Sequence, residues 1–286
     1  MRTRARPVPR SDDEGSRAAA MGCPLRFAAN ISMMFGEWEF VDRFQAARDA
    51  GFEAVEIQFP YGEPVARLAR AREAAGVIVV LINAPIHPPE YPAGIAAIPA
   101  MAAEFRRDLP LVAEYAAALG VRHVNFLAGA CAAPAARDAY RATLVDNLSA
   151  AAEQLKRYGV SPLLEAINPT DVPDYLVDSF EEALIILDQC GGSVGLQFDV
   201  YHAAMMGLDP VRALHAVRHV VRHVQFADAP GRHEPGTGAV AFGPVLECLA
   251  MTGYDGWIAA EYRPARTTLE SLAWLGAWRS RQREEN

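Results

Sequence analysis

Apolar residues fall into two alternating kinds of segment along this chain. Short runs rich in β-branched or aromatic residues stand at 26–32, 54–59, 77–83, 123–128, 162–167, 194–199, 222–227 and 257–262. Between them lie longer amphipathic stretches at 38–50, 62–75, 100–119, 137–158, 179–190, 209–219, 241–252 and 268–280. The first pattern is that of a strand and the second that of a helix. Gly51, Gly76, Gly120, Gly159 and Gly191 stand where helix C-terminal caps are needed. Eight strands, each followed by a helix, predict an α/β fold: a single closed (β/α)8 barrel, or TIM barrel, with an open doubly wound sheet as the alternative.

A length of 286 residues suits one such domain, which we assign to 23–286. Residues 1–22 are rich in Arg, Pro and Ser and read as a disordered extension. Their Arg content is that of a transit peptide, the acidic Asp12, Asp13 and Glu14 count against one, and Met21 offers an internal start. The chain is 51% hydrophobic and 22% charged, without an apolar run of the roughly 18 residues a membrane span needs. A soluble protein without a membrane partner is expected. The net charge of −8 argues against nucleic acid, whose binding rests on Lys and Arg, and favours a small-molecule substrate.

Cys23, Cys131, Cys190 and Cys248 are scattered without a C-x-x-C pair, which suits reduced thiols in the cytoplasm and disfavours thiolate zinc. Lys156 is the only lysine and lies at the end of a surface helix, so Schiff-base chemistry is set aside. The nucleophile elbow, the P-loop and the glycine fingerprint of dinucleotide binding are all missing.

The chemistry concentrates where the strands end. Glu165, Asp199, Gln225 and Glu261 close strands five to eight, and in a parallel barrel that rim carries the active site. Ionised carboxylates among apolar neighbours need a partner, so Glu165 and Glu261 are either structural ion pairs, Glu261 with Arg263, or functional groups. Strands five and eight lie almost across the mouth from each other, as a two-carboxylate proton transfer wants. Asp199 and Gln225 complete a metal-ligand set with the two glutamates. Its hard oxygen donors suit Mg or Mn better than Zn, or alternatively bind substrate without metal.

His202, at the D-x-x-H spacing from Asp199, is placed to donate to a substrate oxygen. Arg232 and His233, in the strand-seven loop, are candidates for holding a carboxylate. Asn83, with Asn30, Asn125 and Asn168, offers neutral hydrogen bonds. Glu56 and Gln58 share one face of strand two, and Glu56 reads as a supporting or structural acid. His215, His219 and His223 recur every four residues but cross from a helix into a strand, so they are read as structural.

The segments RFAANISMMF, GFEAVEIQFPY, LLEAIN, QFDVYHAAMM, HVQFADAPGRHEPGTG and GYDGWIAAEYRP together resemble the hydroxypyruvate isomerase family, within the xylose isomerase-like barrels. Ketose 3-epimerases and endonuclease IV share that superfamily. The resemblance implies interconversion of hydroxypyruvate and tartronate semialdehyde through an enediolate. It implies Glu165 and Glu261 as the catalytic pair, Asp199 and Gln225 as the rest of a metal site, His202 as a substrate contact, and often a homo-oligomer. The strand-five segment reads EAINPTD where such isomerases carry an arginine, and the strand-three loop NAPIHPPEYPAG also departs from the family pattern. Both changes bear on substrate identity, leaving isomerisation of 2-oxotetronate or 3-epimerisation of a ketose as alternatives. An endonuclease IV-like phosphodiesterase would need a His-rich zinc cluster, and a non-catalytic sugar-binding barrel would not need both glutamates.

Overall fold

The computed structural model describes residues 25–284, so the expectations for residues 1–22 and for Cys23 lie outside the described residues. Each apolar run forms a strand: β1 (Arg26–Asn30), β2 (Ala54–Ile57), β3 (Ile78–Asn83), β4 (His123–Asn125), β5 (Ser161–Glu165), β6 (Gly195–Asp199), β7 (Val221–Phe226) and β8 (Trp257–Ala260). They pair in parallel in chain order, and β1 pairs with β8, closing the barrel. The helices α1 (Arg43–Asp49), α2 (Val65–Ala75), α3 (Ala102–Leu119), α4 (Arg137–Lys156), α5 (Phe180–Gln189), α6 (Val200–Met205), α7 (Pro210–Val217), α8 (Phe242–Met251) and α9 (Ala273–Glu284) connect the strands or follow the last. No helix among the described residues is long and apolar enough to cross a membrane.

Strand alternation divides the side chains into two cores. One set packs outward under the helices, where Phe44, Leu68, Val112, Leu148, Ile186 and Leu249 are buried. The other forms a small apolar floor of Ala28, Ala54, Val80, Leu81, Leu163 and Ala259. Two residues beyond five of these, at the strand period, stand Asn30, Glu56, Asn83, Glu165 and Glu261, all buried. The barrel therefore changes from apolar to polar within one period, toward its carboxyl end.

Gly76 and Gly120 cap α2 and α3 with φ near +63° and +66°, the left-handed conformation that glycine adopts most cheaply. Several strands are shorter than the apolar runs, β8 ending at Ala260. Even so, the Glu261 N–H still donates to the Phe226 carbonyl at 3.0 Å, which holds its backbone at the rim.

The helix α6 was not expected. Asp199 ends β6 and at once caps α6, its Oδ1 accepting the Tyr201 N–H at 2.8 Å. That cap turns the chain so that His202 folds back toward the Asp199 carboxylate.

Candidate active site

Glu165, Asp199, His202, Arg232 and Glu261 come together at the carboxyl end of the barrel. Asn125 donates to Glu165 Oε2 at 2.8 Å, and His202 Nε2 lies 3.7 Å from Glu165 Oε1 and 3.6 Å from Asp199 Oδ2. The Asn168 backbone N–H points at His202 Nδ1 from 3.4 Å, so Nδ1 accepts and the neutral ring carries its proton on Nε2, toward the two carboxylates. Burial, with the Arg232 charge, holds His202 well below its ordinary pKa and therefore neutral.

Arg232 reaches the centre of the cluster. Its Nη2 lies 2.6 Å from Glu261 Oε2 and 3.6 Å from Asp199 Oδ2, its Nη1 lies 3.8 Å from Asp171, and the guanidinium stacks 4.8 Å from the Tyr201 ring. The backbone at Arg232 takes φ +53°, held by bonds from its N–H to the Asp228 carbonyl and from the Arg263 N–H to its own carbonyl. The side chain expected to clamp a substrate carboxylate is thus engaged by the protein carboxylates Glu261 and Asp199.

His233 turns the other way, its Nδ1 meeting the Arg263 carbonyl at 2.7 Å. Asn83 is buried at the end of β3 with its Oδ1 unpartnered. Arg263 does not appear among the ion-pair partners of Glu261, whose described ion pair is with Arg232.

Three buried carboxylates around one guanidinium leave an excess of negative charge. Burial raises Glu165 well above the ordinary carboxylate range, with Glu261 and Asp199 adding repulsion. Burial likewise lifts Asp199 to about 7, against the pull of Arg232, and raises Glu261. Asp199 Oδ2 is buried without a hydrogen-bond partner. Such a set of hard oxygen donors fits a divalent cation.

The fourth donor assigned from sequence sits differently. Gln225 directs its Nε2 to Glu56 Oε1 at 2.6 Å and Glu261 Oε1 at 3.1 Å, while its Oε1 accepts from Gln197 at 2.6 Å. Reversing the amide would set its oxygen against two carboxylate oxygens, so Gln225 serves as a donor here. His202 forms a compact group with Glu165 and Asp199.

Sequence reasoning missed the organiser of the strand-seven loop. Asp228, buried just past β7, accepts four backbone N–H groups: Ala229 and Val240 on Oδ1 at 2.9 and 3.0 Å, Gly236 and Gly238 on Oδ2 at 2.8 and 2.9 Å. A Cβ on Gly238 would lie 2.1 Å from the Ala229 carbonyl oxygen, so glycine is required there. An acid followed by a loop with spaced glycines was the available signal. His223 is likewise inside the barrel, paired with Glu56, whereas His215 and His219 are exposed on α7 and the turn after it. The loops after β3 and β5 border a cavity of about 520 Å³ lined by Tyr91, Pro92, Ile98, Tyr140, Asp171 and Val172.

The model of the xylose isomerase-like TIM barrel family matches residues 44–278. The 2-oxo-tetronate isomerase of Cupriavidus necator is 38% identical over 254 residues, covering 87% of this chain and 97% of that protein. The hydroxypyruvate isomerase of Escherichia coli is 34% identical over 259 residues, 89% of this chain and 100% of that protein. Among solved structures, one described as an AP endonuclease, family 2, from Brucella melitensis superposes with a TM-score of 0.85 at 34% identity, covering 89% of this chain and 99% of that one.

Proposed function

The chain belongs to the xylose isomerase-like TIM barrel family, and on that premise we propose that it isomerises a small hydroxy-oxo acid, hydroxypyruvate to tartronate semialdehyde (2-hydroxy-3-oxopropanoate). The observation that carries the reading is the pair of buried glutamates at the ends of β5 and β8, Glu165 and Glu261, with Asp199, His202 and Arg232 between them.

The reaction moves one hydrogen from C3 to C2 and one proton between the neighbouring oxygens. One glutamate removes the C3 proton, the electron pair forms the enediolate, and a proton returned to C2 completes the aldehyde. Glu165 suits the carbon proton: Asn125 occupies Oε2, which leaves Oε1 to react. Its pKa, raised by burial and by the neighbouring carboxylates, makes the ionised carboxylate a stronger base than a free glutamate. Glu261 Oε2 then serves the opposite face or the adjacent oxygen. His202 Nε2–H donates to a substrate oxygen, and Arg232 balances the charge. Glu165, Asp199 and Glu261 would hold a Mg or Mn ion, which when bound polarises the carbonyl and steadies enediolate charge. Cytoplasm is the proposed setting, consistent with the free thiols Cys131, Cys190 and Cys248.

A second reading, isomerisation of four-carbon 2-oxotetronate, uses the same machinery and is favoured by the Cupriavidus relative. Proton NMR in deuterated buffer on hydroxypyruvate, 2-oxotetronate and free ketoses, with and without EDTA, tests both. Wild-type protein should exchange hydrogen beside the carbonyl, and Glu165→Gln and Glu261→Gln should each lose about 10²- to 10⁴-fold. Unchanged exchange in both variants would sink the mechanism; exchange on the four-carbon acid alone would reassign the substrate.

A further inference from the structure

Beneath the reacting groups, the barrel encloses a carboxylate the mechanism does not use. Glu56, on β2, is 0% exposed, and its Oε2 meets Nε2 of His223, on β7 and 1% exposed, at 2.8 Å. Its Oε1 accepts two amides, Asn30 Nδ2 at 2.7 Å and Gln225 Nε2 at 2.6 Å. Each of those nitrogens has two hydrogens and spends the other on Glu261 Oε1, both at 3.1 Å. Gln58 adds a third donor to the same Glu261 oxygen at 3.0 Å.

The amides are also held from behind. Asn30 Oδ1 accepts the Ser32 and Met33 N–H groups at 3.0 and 3.2 Å, and Gln225 Oε1 accepts from Gln197. A complete chain of hydrogen bonds therefore runs from His223 through Glu56 and two bridging amides to one oxygen of Glu261. With Oε1 saturated by three N–H groups, only Oε2, beside Arg232, is left to exchange protons.

We infer that Glu56 and His223 are positioning residues for the reaction: they fix the amides of Asn30 and Gln225 so that Glu261 presents Oε2, and no other oxygen, to the substrate. The pair could have been a buried ion pair serving stability alone. What distinguishes it is that both Glu56-bound amides end on the same oxygen of a proposed catalytic glutamate. The inference rests on the reading of Glu261 as a proton carrier, and its stereochemical demand is narrow, since a small misplacement of a reacting group costs about 10²-fold in rate.

The test compares Glu56→Leu, which keeps volume and removes both acceptors, with Glu56→Gln, whose carbonyl oxygen still accepts from Asn30 and Gln225. Both are assayed on whichever acid wild type turns over, with thermal melts and with ¹⁵N-resolved signals of the Gln225 side-chain amide. Positioning predicts kcat about 10²-fold lower in the leucine variant with KM within about threefold, and recovery to within about tenfold of wild type in the glutamine variant. The Gln225 amide protons, protected in wild type and in Glu56→Gln, should exchange freely in Glu56→Leu.

A folded leucine variant with wild-type kcat overturns the inference, as does a glutamine variant that keeps the amide signals yet recovers nothing. Should Glu56→Leu fail to fold, Glu56→Asp takes its place. It retains the charge but draws it back by one methylene, and an unchanged kcat there overturns the inference equally. Wild-type protein that turns over no substrate would fail the isomerase reading, while the Gln225 amide signals would still decide whether Glu56 holds that side chain.

Discussion

Replacing Arg232 by methionine removes the guanidinium held among Glu261, Asp199 and Asp171 while keeping most of the side chain's volume over Tyr201. At an effective dielectric of about 20, unit charges at the 2.6 Å separation from Glu261 attract by about 6 kcal/mol. Desolvation offsets much of this in the intact protein, and breaking one side of such a pair typically costs about 3 kcal/mol. The remaining carboxylates can avoid part of that cost by taking up protons, so the loss must depend on pH.

Asp199 already titrates near 7 in the folded protein, above its unfolded value, so its burial weakens the fold as pH rises through the interval from about 4 to about 7. Without Arg232, Asp199 and Glu261 hold their protons to still higher pH. Below about 6 the two proteins should differ little; above 7 the variant carries repulsion that wild type neutralises. With roughly 2 °C of Tm per kcal/mol for a domain of this size, the variant should melt about 2 °C lower at pH 5.5 and about 6 °C lower at pH 8.5. Adding Mn at pH 8.5 should raise the variant's Tm more than the wild type's, since the ion meets no competing guanidinium. Melting curves at both pH values, with EDTA or Mn, measure all of this. An equal deficit at both pH values, or a larger one at pH 5.5, refutes the electrostatic account.

His123 is held near 4, chiefly by burial and then by the charges of His223, Arg222 and Arg122, and its Nδ1 lacks a hydrogen-bond partner. A base depressed on folding withdraws stability as pH falls from about 6.5 to about 4, here by up to about 3 kcal/mol, and His123→Phe should flatten that fall. Urea titrations at pH 4.5 and 7 with unchanged pH dependence would contradict this. Asp228→Asn turns an N–H donor group toward backbone N–H groups that Asp228 now satisfies, so about 2 kcal/mol of local order should be lost. Amide exchange across 229–240 should accelerate and KM rise about tenfold, whereas unchanged protection would show that the loop does not depend on this carboxylate. Gly238→Ala should reproduce the same phenotype, because the new methyl meets the Ala229 carbonyl.

The periodicity of apolar positions determined a parallel sheet buried on both faces, because eight short apolar runs alternate with amphipathic helices, and the pairing of β1 with β8 closed it into a barrel rather than an open sheet. The same alternation put Glu165, Asp199 and Gln225 at strand ends and Glu261 one residue past β8, and composition narrowed the chemistry to a small substrate and oxygen donors. The sequence could not reveal which of these groups face one another. Gln225 carries the right atoms for a ligand, yet Glu56, 169 positions away, turns its nitrogen inward. Arg232 lies in a loop whose path is set by Asp228, and only the folded loop brings its guanidinium onto Glu261 and Asp199. The sequence already placed His223 past the helix and on strand seven, but only the closed barrel sets it against Glu56. Local periodicity decides which face of an element a residue occupies. Hydrogen-bond orientation, charge pairing and pKa depend on atoms from distant strands meeting in a dry interior, and so they belong to the tertiary structure alone.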